Sequence, residues 1–167
     1  MPSSVAHGLA AVALGTLFYP SERTRLYATA ATGAVLLDID ALGRPFGLGD
    51  LICLGGHRGL THSLPFAATL AAATVIVANR GPDWHGRRLG AWAYFALAFA
   101  LHGALDALTT YGDGVMFLAP LSAWRYKAPW QPFHRIMPEI IGVWLPALAI
   151  IWYRRRRRSV YSDSPAP

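Results

Sequence analysis

Residues 91–110 read AWAYFALAFALHGALDALTT, an apolar stretch in which Asp106 is the only charged residue. Alanine and leucine dominate it, and both favour helix over strand. A helix needs about 20 residues to span a bilayer. The stretch therefore predicts a membrane-spanning helix. Its histidine and aspartate need an explanation, because ionisable groups are costly inside a membrane and usually functional.

The composition of the whole chain is also that of a membrane protein. Of the 167 residues, 54% are hydrophobic and 14% are charged, and the mean hydropathy is +0.32. A soluble domain usually contains about 25% charged residues. We therefore favour a membrane protein over the alternative of a soluble helical bundle. The single cysteine, Cys53, excludes an internal disulfide and a thiolate metal cluster.

Four further apolar segments flank this stretch. They cover about residues 4–19, 26–37, 60–78 and 140–153, with Gly- and Pro-rich breaks between them. The fold is thus predicted to be all-α, a single membrane bundle of about four to five apolar helices within residues 1–153. Only the third and fourth segments are long enough to span a bilayer. The N-terminus lacks the basic residues of a signal peptide, so we expect the first segment to be retained.

A block of arginines at residues 154–158 follows the last apolar segment. Such a block is typical of a cytoplasmic membrane anchor, and we do not expect it to bind nucleic acid. Residues 154–167 are predicted to be a basic, disordered cytoplasmic tail. If every segment crosses once, most of the Lys and Arg residues fall on the side of this tail. The pattern predicts a multi-pass protein of the inner membrane.

The same up-and-down path brings most of the histidines and several carboxylates to the opposite, non-cytoplasmic end. These candidate metal ligands are His7, Asp38, Asp40, His57, His62, His102 and Asp106. His134 and Glu139 precede the last segment and are candidates only, because Pro132 and Pro138 make their geometry unpredictable. Polar residues scattered at random would not gather at one end.

The spacing of His102 and Asp106 is i, i+4, so a helix presents both on one face, where they can hold the same ion. The alternative is a His–Asp hydrogen bond that joins two helices. Asp38 and Asp40 end the second segment. We expect one of them to be a ligand, with no clear preference, and the other to orient it or to act as a general base.

Residues 57–63, HRGLTHS, form the most specific motif. Their two histidines can reach one site if Gly59 makes a turn between them. Thr61 and Ser63 are suited to orienting the imidazoles, and Arg58 is suited to holding an anionic oxygen. We therefore predict a catalytic role for Arg58, as we do for Asp40. The alternative is a helix cap without chemistry.

Nitrogen and oxygen ligands without thiolate favour zinc, with manganese or iron as alternatives. Such a divalent metal lowers the pKa of a bound water towards 7 and polarises an ester or phosphoryl oxygen. The sequence contains no nucleophile elbow, P-loop or dinucleotide fingerprint. Water activated by the metal is therefore the simplest predicted mechanism.

With these residues, the chain resembles the membrane-bound metal-dependent hydrolases, also described as LexA-binding, inner-membrane-associated hydrolases. The resemblance is carried by His7 and by residues 37–40 (LDID), 57–63, 102–112 and 117–122 (FLAPLS). It implies a helical fold distantly similar to zinc phospholipases C and a phosphoester substrate such as a lipid head group. It also implies site roles for the seven candidate ligands. The family usually has proline where this chain has Leu37.

The sequence leaves three functions open. The favoured one is a membrane hydrolase that acts on a phosphoester or other ester near the bilayer surface, with membrane lipid as its partner. The second is a non-enzymatic scaffold or regulatory protein with a structural metal. The third is a metal or proton carrier, which clustering at one end argues against. Aromatic residues of the outer loop fit an interfacial belt that either presents lipid or anchors the protein: Trp124, Tyr126, Trp130 and Phe133.

Overall fold

The computed structural model describes residues 3–19, 24–46, 54, 56–78 and 87–162. Within these ranges the chain forms five helices and no β-strand, which confirms the all-α prediction. Helices α1 to α4 are Ser4–Phe18, Thr24–Leu36, Leu64–Ala78 and Arg88–Ala107. Helix α5 is continuous through Ile136–Glu139, a π-helical turn at Ile140–Trp144, and Leu145–Ser162. Short 3₁₀ segments, Leu37–Phe46 and Leu60–His62, precede α3.

Two described helices are long and apolar enough to cross a membrane, and the first of them contains most of the fourth segment, as the sequence predicts. They are Arg88–Ala107 and Ile136–Arg157. The third segment forms a shorter apolar helix than expected, because its first residues form a 3₁₀ turn and Ser63 is extended, which leaves α3 15 residues in the described part of the chain. The fifth segment is longer than expected because α5 begins before Pro138. A proline in the first helical turn removes no intrahelical hydrogen bond.

Helix α4 is the centre of the bundle and packs against α1, α2 and α3. Its buried face carries Tyr94, Phe95 and Phe99, each at most 2% exposed. The neighbouring helices meet these rings largely with alanines and glycines, which let helices approach closely. The hydroxyl of Tyr94 donates to the carbonyl oxygen of Ala11 at 3.0 Å, so its polar end has a partner inside the core.

Helices α1 and α5 run side by side in the same direction. At one end, the amide of Ser3 donates to Glu139 at 3.0 Å. At the other end, Nε of Arg154 donates to the carbonyl oxygen of Thr16 at 3.1 Å. The arginine block therefore lies at the end of the bundle opposite His7.

The sequence predicts a disordered tail from residue 154. In the structure, α5 instead continues through the arginine block to Ser162. The guanidinium of Arg156 lies 4.4 Å from the ring centre of Trp152, and that of Arg157 lies 4.9 Å from Tyr153. These pairs are four residues apart, so cation–π contacts support the last helical turns. Residues 163–167 of the predicted tail lie outside the described residues.

A substitution of Gly15 tests the close packing between α1 and the core. A Cβ at this position would lie 2.6 Å from Oη of Tyr94 and 2.7 Å from Cδ1 of Tyr27. We expect Gly15→Ala to lower the thermal midpoint of the detergent-purified protein, at a cost of about 1–3 kcal/mol. Gly8→Ala is the matched control, because its nearest new contact is 3.9 Å from Ala31. A Gly15→Ala protein as stable as Gly8→Ala would contradict this packing.

Candidate metal centre

The seven candidate ligands come from four separate parts of the chain and meet at one end of the bundle. Helix α1 contributes His7, and the 3₁₀ segment after α2 contributes two aspartates. The turn before α3 contributes two histidines, and α4 contributes one histidine and one aspartate. Five of the seven are almost fully buried, and the other two are half-buried. The close approach that the sequence predicts for these residues is therefore present.

Four of them form the tightest group: Asp38, His62, His102 and Asp106. One ligand atom from each lies within 4.8 Å of all the others. Nε2 of His62 lies 2.9 Å from Nε2 of His102, 3.6 Å from Oδ1 of Asp38 and 3.4 Å from Oδ2 of Asp106. Nε2 of His102 lies 3.4 Å from the same oxygen of Asp38. The four side chains thus point at one common volume.

Hydrogen bonds alone do not account for this arrangement. A ring nitrogen carries at most one hydrogen, so Nε2 of His62 cannot bond its three close neighbours at once. Oδ1 of Asp38 and Oδ1 of Asp106 are buried without a hydrogen-bond partner in the described part of the chain, while Oδ2 of Asp106 has an ion-pair contact with Nε of Arg58 at 2.9 Å. Leaving such groups unpaired in the interior is costly.

The separations match those of ligands around one ion. A tetrahedral ion with bonds of about 2.0–2.2 Å holds its ligand atoms about 3.3–3.6 Å apart. Three of the four measured separations lie at 3.4–3.6 Å, and the pair of imidazole nitrogens is somewhat closer at 2.9 Å. The residues present therefore fit a divalent cation with two nitrogen and two oxygen ligands.

Asp40 lies behind this group and orients two imidazoles. Its Oδ1 is 2.7 Å from Nδ1 of His57, and its Oδ2 is 3.3 Å from Nδ1 of His62. The hydroxyl of Thr61 and the amide of Arg58 both donate to the same Oδ2. A carboxylate on the second ring nitrogen is the usual partner of a metal-bound histidine. Where the sequence did not separate the two aspartates, the structure gives Asp38 the inner position and Asp40 the outer one.

His7 lies beside the four-residue group. Its Nε2 is 3.5 Å from Oδ1 of Asp106, and its ring stacks on that of His102 with centroids 3.7 Å apart. Neither nitrogen of His7 has a hydrogen-bond partner among the described residues. The position suits a further ligand reached through Asp106, or a ring that fixes the rotamer of His102.

The guanidinium of Arg58 contacts other groups of the protein. Its Nε lies 2.9 Å from Oδ2 of Asp106, Nη2 donates to the hydroxyl of Thr109 at 3.0 Å, and Nη1 donates to the carbonyl oxygen of Tyr111. The side chain is 2% exposed. From the sequence we expected Arg58 to hold an anionic oxygen, and the oxygen that it contacts belongs to the carboxylate of Asp106.

Arg58, which has a φ of 66°, lies in the turn between His57 and His62, and Gly56, with a φ of 65°, comes just before His57. Gly59, which the sequence predicts to allow this turn, has φ −83° and ψ −124°, and its amide donates to the carbonyl oxygen of Gly56 at 3.0 Å. A non-glycine residue in the left-handed region is strained by roughly 1–2 kcal/mol. The bond from the amide of Arg58 to Asp40 offsets part of that strain.

His134 and Glu139 are not part of the centre. His134 is exposed, and its Nδ1 lies 3.0 Å from the carbonyl oxygen of Pro132. Glu139 is buried and accepts hydrogen bonds from Ser3 and from Nε1 of Trp144. Its carboxylate therefore ties the start of α1 to α5.

Sequence reasoning missed two residues that shape the site. Thr109 accepts from Arg58 and donates to the carbonyl oxygen of Asp106 at 2.8 Å. Gly103 faces the carbonyl oxygen of His62, which would lie only 2.8 Å from an added Cβ. The position of Gly103, directly after His102 in a helix, was an available signal, because a glycine within an apolar helix often marks a close approach.

The electrostatics of the centre favour a positive charge at its middle. Burial opposes a charged His62, but its close contacts with three carboxylates, of which that of Asp106 contributes most, outweigh burial and raise its pKa to about 10. Burial also favours a neutral Asp38, yet the bonds to His102 and His62 prevail and hold the pKa of that carboxyl well below its usual range. The pKa of Asp40 is lowered in the same way by its histidine partners.

Fold and site together define a class: a helical protein with two helices long enough to span a membrane and a buried His–Asp centre at one end of the bundle. The chain belongs to the YdjM inner membrane protein family, whose sequence profile matches residues 1–162. It is also 32% identical to the inner membrane protein YbcI of Escherichia coli (strain K12), over an alignment of 178 residues that covers 93% of this chain and all of the relative. No solved structure matches the chain. The membrane location is confirmed, whereas the likeness to zinc phospholipases C stays a prediction.

A substitution of Thr109 tests whether its hydrogen bond with Arg58 stabilises the structure around the centre. Thr109→Val keeps the side-chain shape but removes the acceptor of a buried guanidinium, so we expect a loss of about 1–3 kcal/mol in stability. The exposed neighbour Thr110 offers the control Thr110→Val. Thermal unfolding in detergent measures both. Equal midpoints for the two variants would show that this contact does not support the site.

Proposed function

We propose that this protein is a multi-pass inner-membrane hydrolase that uses a divalent metal, most readily zinc, to cleave a phosphoester or other ester near the bilayer surface. One observation carries the proposal. Four ligand atoms of Asp38, His62, His102 and Asp106 converge at distances suited to one ion, and Oδ1 of Asp38, which faces this point, has no hydrogen-bond partner in the described structure.

The donor set suits zinc, and manganese or iron are compatible with the same nitrogen and oxygen ligands. A divalent ion at this centre supplies Lewis acidity, which polarises an ester or phosphoryl oxygen and lowers the pKa of water. The second group, Asp40, His57 and His62, has enough ligand atoms for another ion. His62 belongs to both groups and would lie between two such sites.

Asp40 and His57 are suited to proton transfer. Asp40 holds Nδ1 of His57 at 2.7 Å and thereby fixes the orientation of the ring. Nε2 of His57 is buried and has no hydrogen-bond partner among the described residues, so it is free to accept or donate a proton. In this Asp–His pair, Asp40 positions the ring and His57 contacts the reacting groups.

Arg58 orients the carboxylate of Asp106. Its guanidinium lies 2.9 Å from that carboxylate and is anchored on its other side by Thr109 and Tyr111. A fixed positive charge here offsets part of the repulsion between the buried carboxylates. Its role is therefore to position a ligand rather than to bind substrate.

The charge distribution supports an orientation for the bundle. The described arginines near the start of α2, the start of α4 and the end of α5 share one end: Arg25, Arg87, Arg88 and Arg154 to Arg157. The positive-inside rule assigns this end to the cytoplasm. The His–Asp centre then faces the non-cytoplasmic side.

A structural metal in a non-enzymatic membrane protein is the second candidate. Four protein ligands complete a tetrahedral sphere and leave no position for water, which is the mark of a structural site. Against this, Asp38 has a side chain that is 13% exposed, while those of His62, His102 and Asp106 are at 0%. An opening at Asp38 is where a substrate oxygen would enter.

Metal content is the first test. We expect detergent-purified wild-type protein to retain stoichiometric metal, and His62→Ala and His102→Ala to lose it. His134→Ala is the control, because His134 is exposed and outside the centre. Elemental analysis by mass spectrometry measures all four proteins after dialysis against a weak chelator. Wild-type protein without metal would overturn the proposal.

A substitution of His57 tests catalysis separately from metal binding. We expect His57→Gln to keep the metal at the four-residue group and to lower hydrolysis of a generic phosphoester by about 10²–10⁴-fold, the usual contribution of a general acid or base. Metal content and turnover are measured on the same preparation. Metal binding without turnover in the wild type, across phosphate and carboxylate esters, would favour the structural role instead.

A further inference from the structure

A long apolar groove lies between α2 and α3 and encloses about 590 Å³. These two helices have little direct contact, and each packs against α4. The groove therefore has α4 as its floor, where Phe99 lies, and the two shorter helices as its walls. Its principal lining residues are Thr32, Leu36, Leu37, Phe66, Leu70 and Thr74.

The groove offers almost nothing polar to an occupant. The hydroxyl of Thr74 donates to the carbonyl oxygen of Leu70 at 2.7 Å, and that of Thr29 donates to Arg25 at 2.8 Å. Both hydroxyls are thus bonded within their own helices. A peptide or sugar would leave its polar groups without partners here, at a cost of roughly 1–3 kcal/mol each.

One end of the groove reaches the His–Asp centre. Thr61 lines the groove, and its hydroxyl donates to Asp40. Leu37 and Ile39, which flank Asp38 in the sequence, line the same end. Away from this end, the lining residues of α3 recur every four residues at 66, 70 and 74. With a rise of 1.5 Å per residue, they follow the groove for about 12 Å.

The groove is open at the surface of the bundle. Leu36 and Ile39 line it and are 54% and 53% exposed. In a protein of the inner membrane, lipid chains are the apolar molecules most available to such an opening. A volume of about 590 Å³ is in the range of one ligand, and too small for a helix with a diameter of about 10 Å laid over this length.

We propose that this groove binds one acyl chain of a membrane lipid and thereby holds the ester or phosphoester of that lipid at the His–Asp centre. The assignment of the head group rests on the proposed hydrolase function. The assignment of the chain rests on the groove alone. The preferred substrate is accordingly a lipid that enters sideways from the bilayer.

If the groove binds an acyl chain, its length limits the length of the chain that it can hold. Thr74 lies at the end remote from Thr61, so Thr74→Trp shortens the space while leaving the centre untouched. Thr69→Trp is a matched control on the same helix. Thr69 makes the same kind of bond to the residue four positions earlier, is exposed, and does not line the groove.

Photo-crosslinking tests chain binding without relying on turnover. The full chain is reconstituted in phosphatidylglycerol vesicles that contain phosphatidylglycerol with a diazirine either near the head group or near the methyl end of one acyl chain. We expect the first probe to label peptides around Ile39 and Thr61, and the second to label peptides around Leu70 and Thr74. We expect Thr74→Trp to reduce labelling by the second probe several-fold and Thr69→Trp to leave it unchanged. Labelling spread evenly over the exposed faces of all helices would overturn the proposal.

Hydrolysis assays on the same variants distinguish the two proposals. If the groove and the hydrolase function both hold, Thr74→Trp loses activity on long-chain phospholipids and keeps it on short-chain ones and on a generic phosphoester. Groove labelling without any hydrolysis would support lipid binding and reject the enzyme. Equal hydrolysis of all chain lengths in both Trp variants, with unlocalised labelling, would support the enzyme and reject the groove.

Discussion

Burying several carboxylates around one imidazole is the constraint on which the rest of this structure depends. Asp38, Asp40 and Asp106 all lie within 3.6 Å of His62. Taking such charges out of water costs several kcal/mol per ion unless each is paired. The surrounding structure supplies part of the pairing: Arg58 compensates Asp106, and Thr61 bonds Asp40. Within the described residues, the raised pKa of His62 adds a further positive charge, and the proposed divalent cation would supply the rest.

The need to hold Arg58 explains local features that would otherwise be unfavourable. Its left-handed backbone is kept by the bond from its amide to Asp40. Its guanidinium reaches Thr109 and Tyr111, just after α4. The amide of Met116 donates to the carbonyl oxygen of Arg58 at 3.0 Å, so the loop after α4 closes over the turn. Strain at one residue is thus supported by contacts from three parts of the chain, as is usual for strained residues at functional sites.

Helix α4 connects the core, the centre and the groove. Phe99 forms the floor of the groove, and His102, one turn further on, belongs to the centre. Gly103 lets the turn that carries His62 approach this helix closely. Because one rigid helix carries both surfaces, a chain in the groove and a head group at the centre would be held at a fixed separation. That arrangement is what a lipid substrate requires.

The sequence by itself determined the helices, the membrane location and the residues that gather at one end. Apolar segments broken by Gly and Pro are local signals, and the alternating path follows from them. Only the tertiary structure decided between Asp38 and Asp40, because two residues so near in sequence differ only in which side of His62 they reach. It also turned Arg58 towards Asp106 and excluded Glu139, whose partner Ser3 is distant in sequence. Helix ends at Leu64 and Ile136 depended on a 3₁₀ turn and a tolerated proline, and the groove depends on two helices that pack on a third and not on each other.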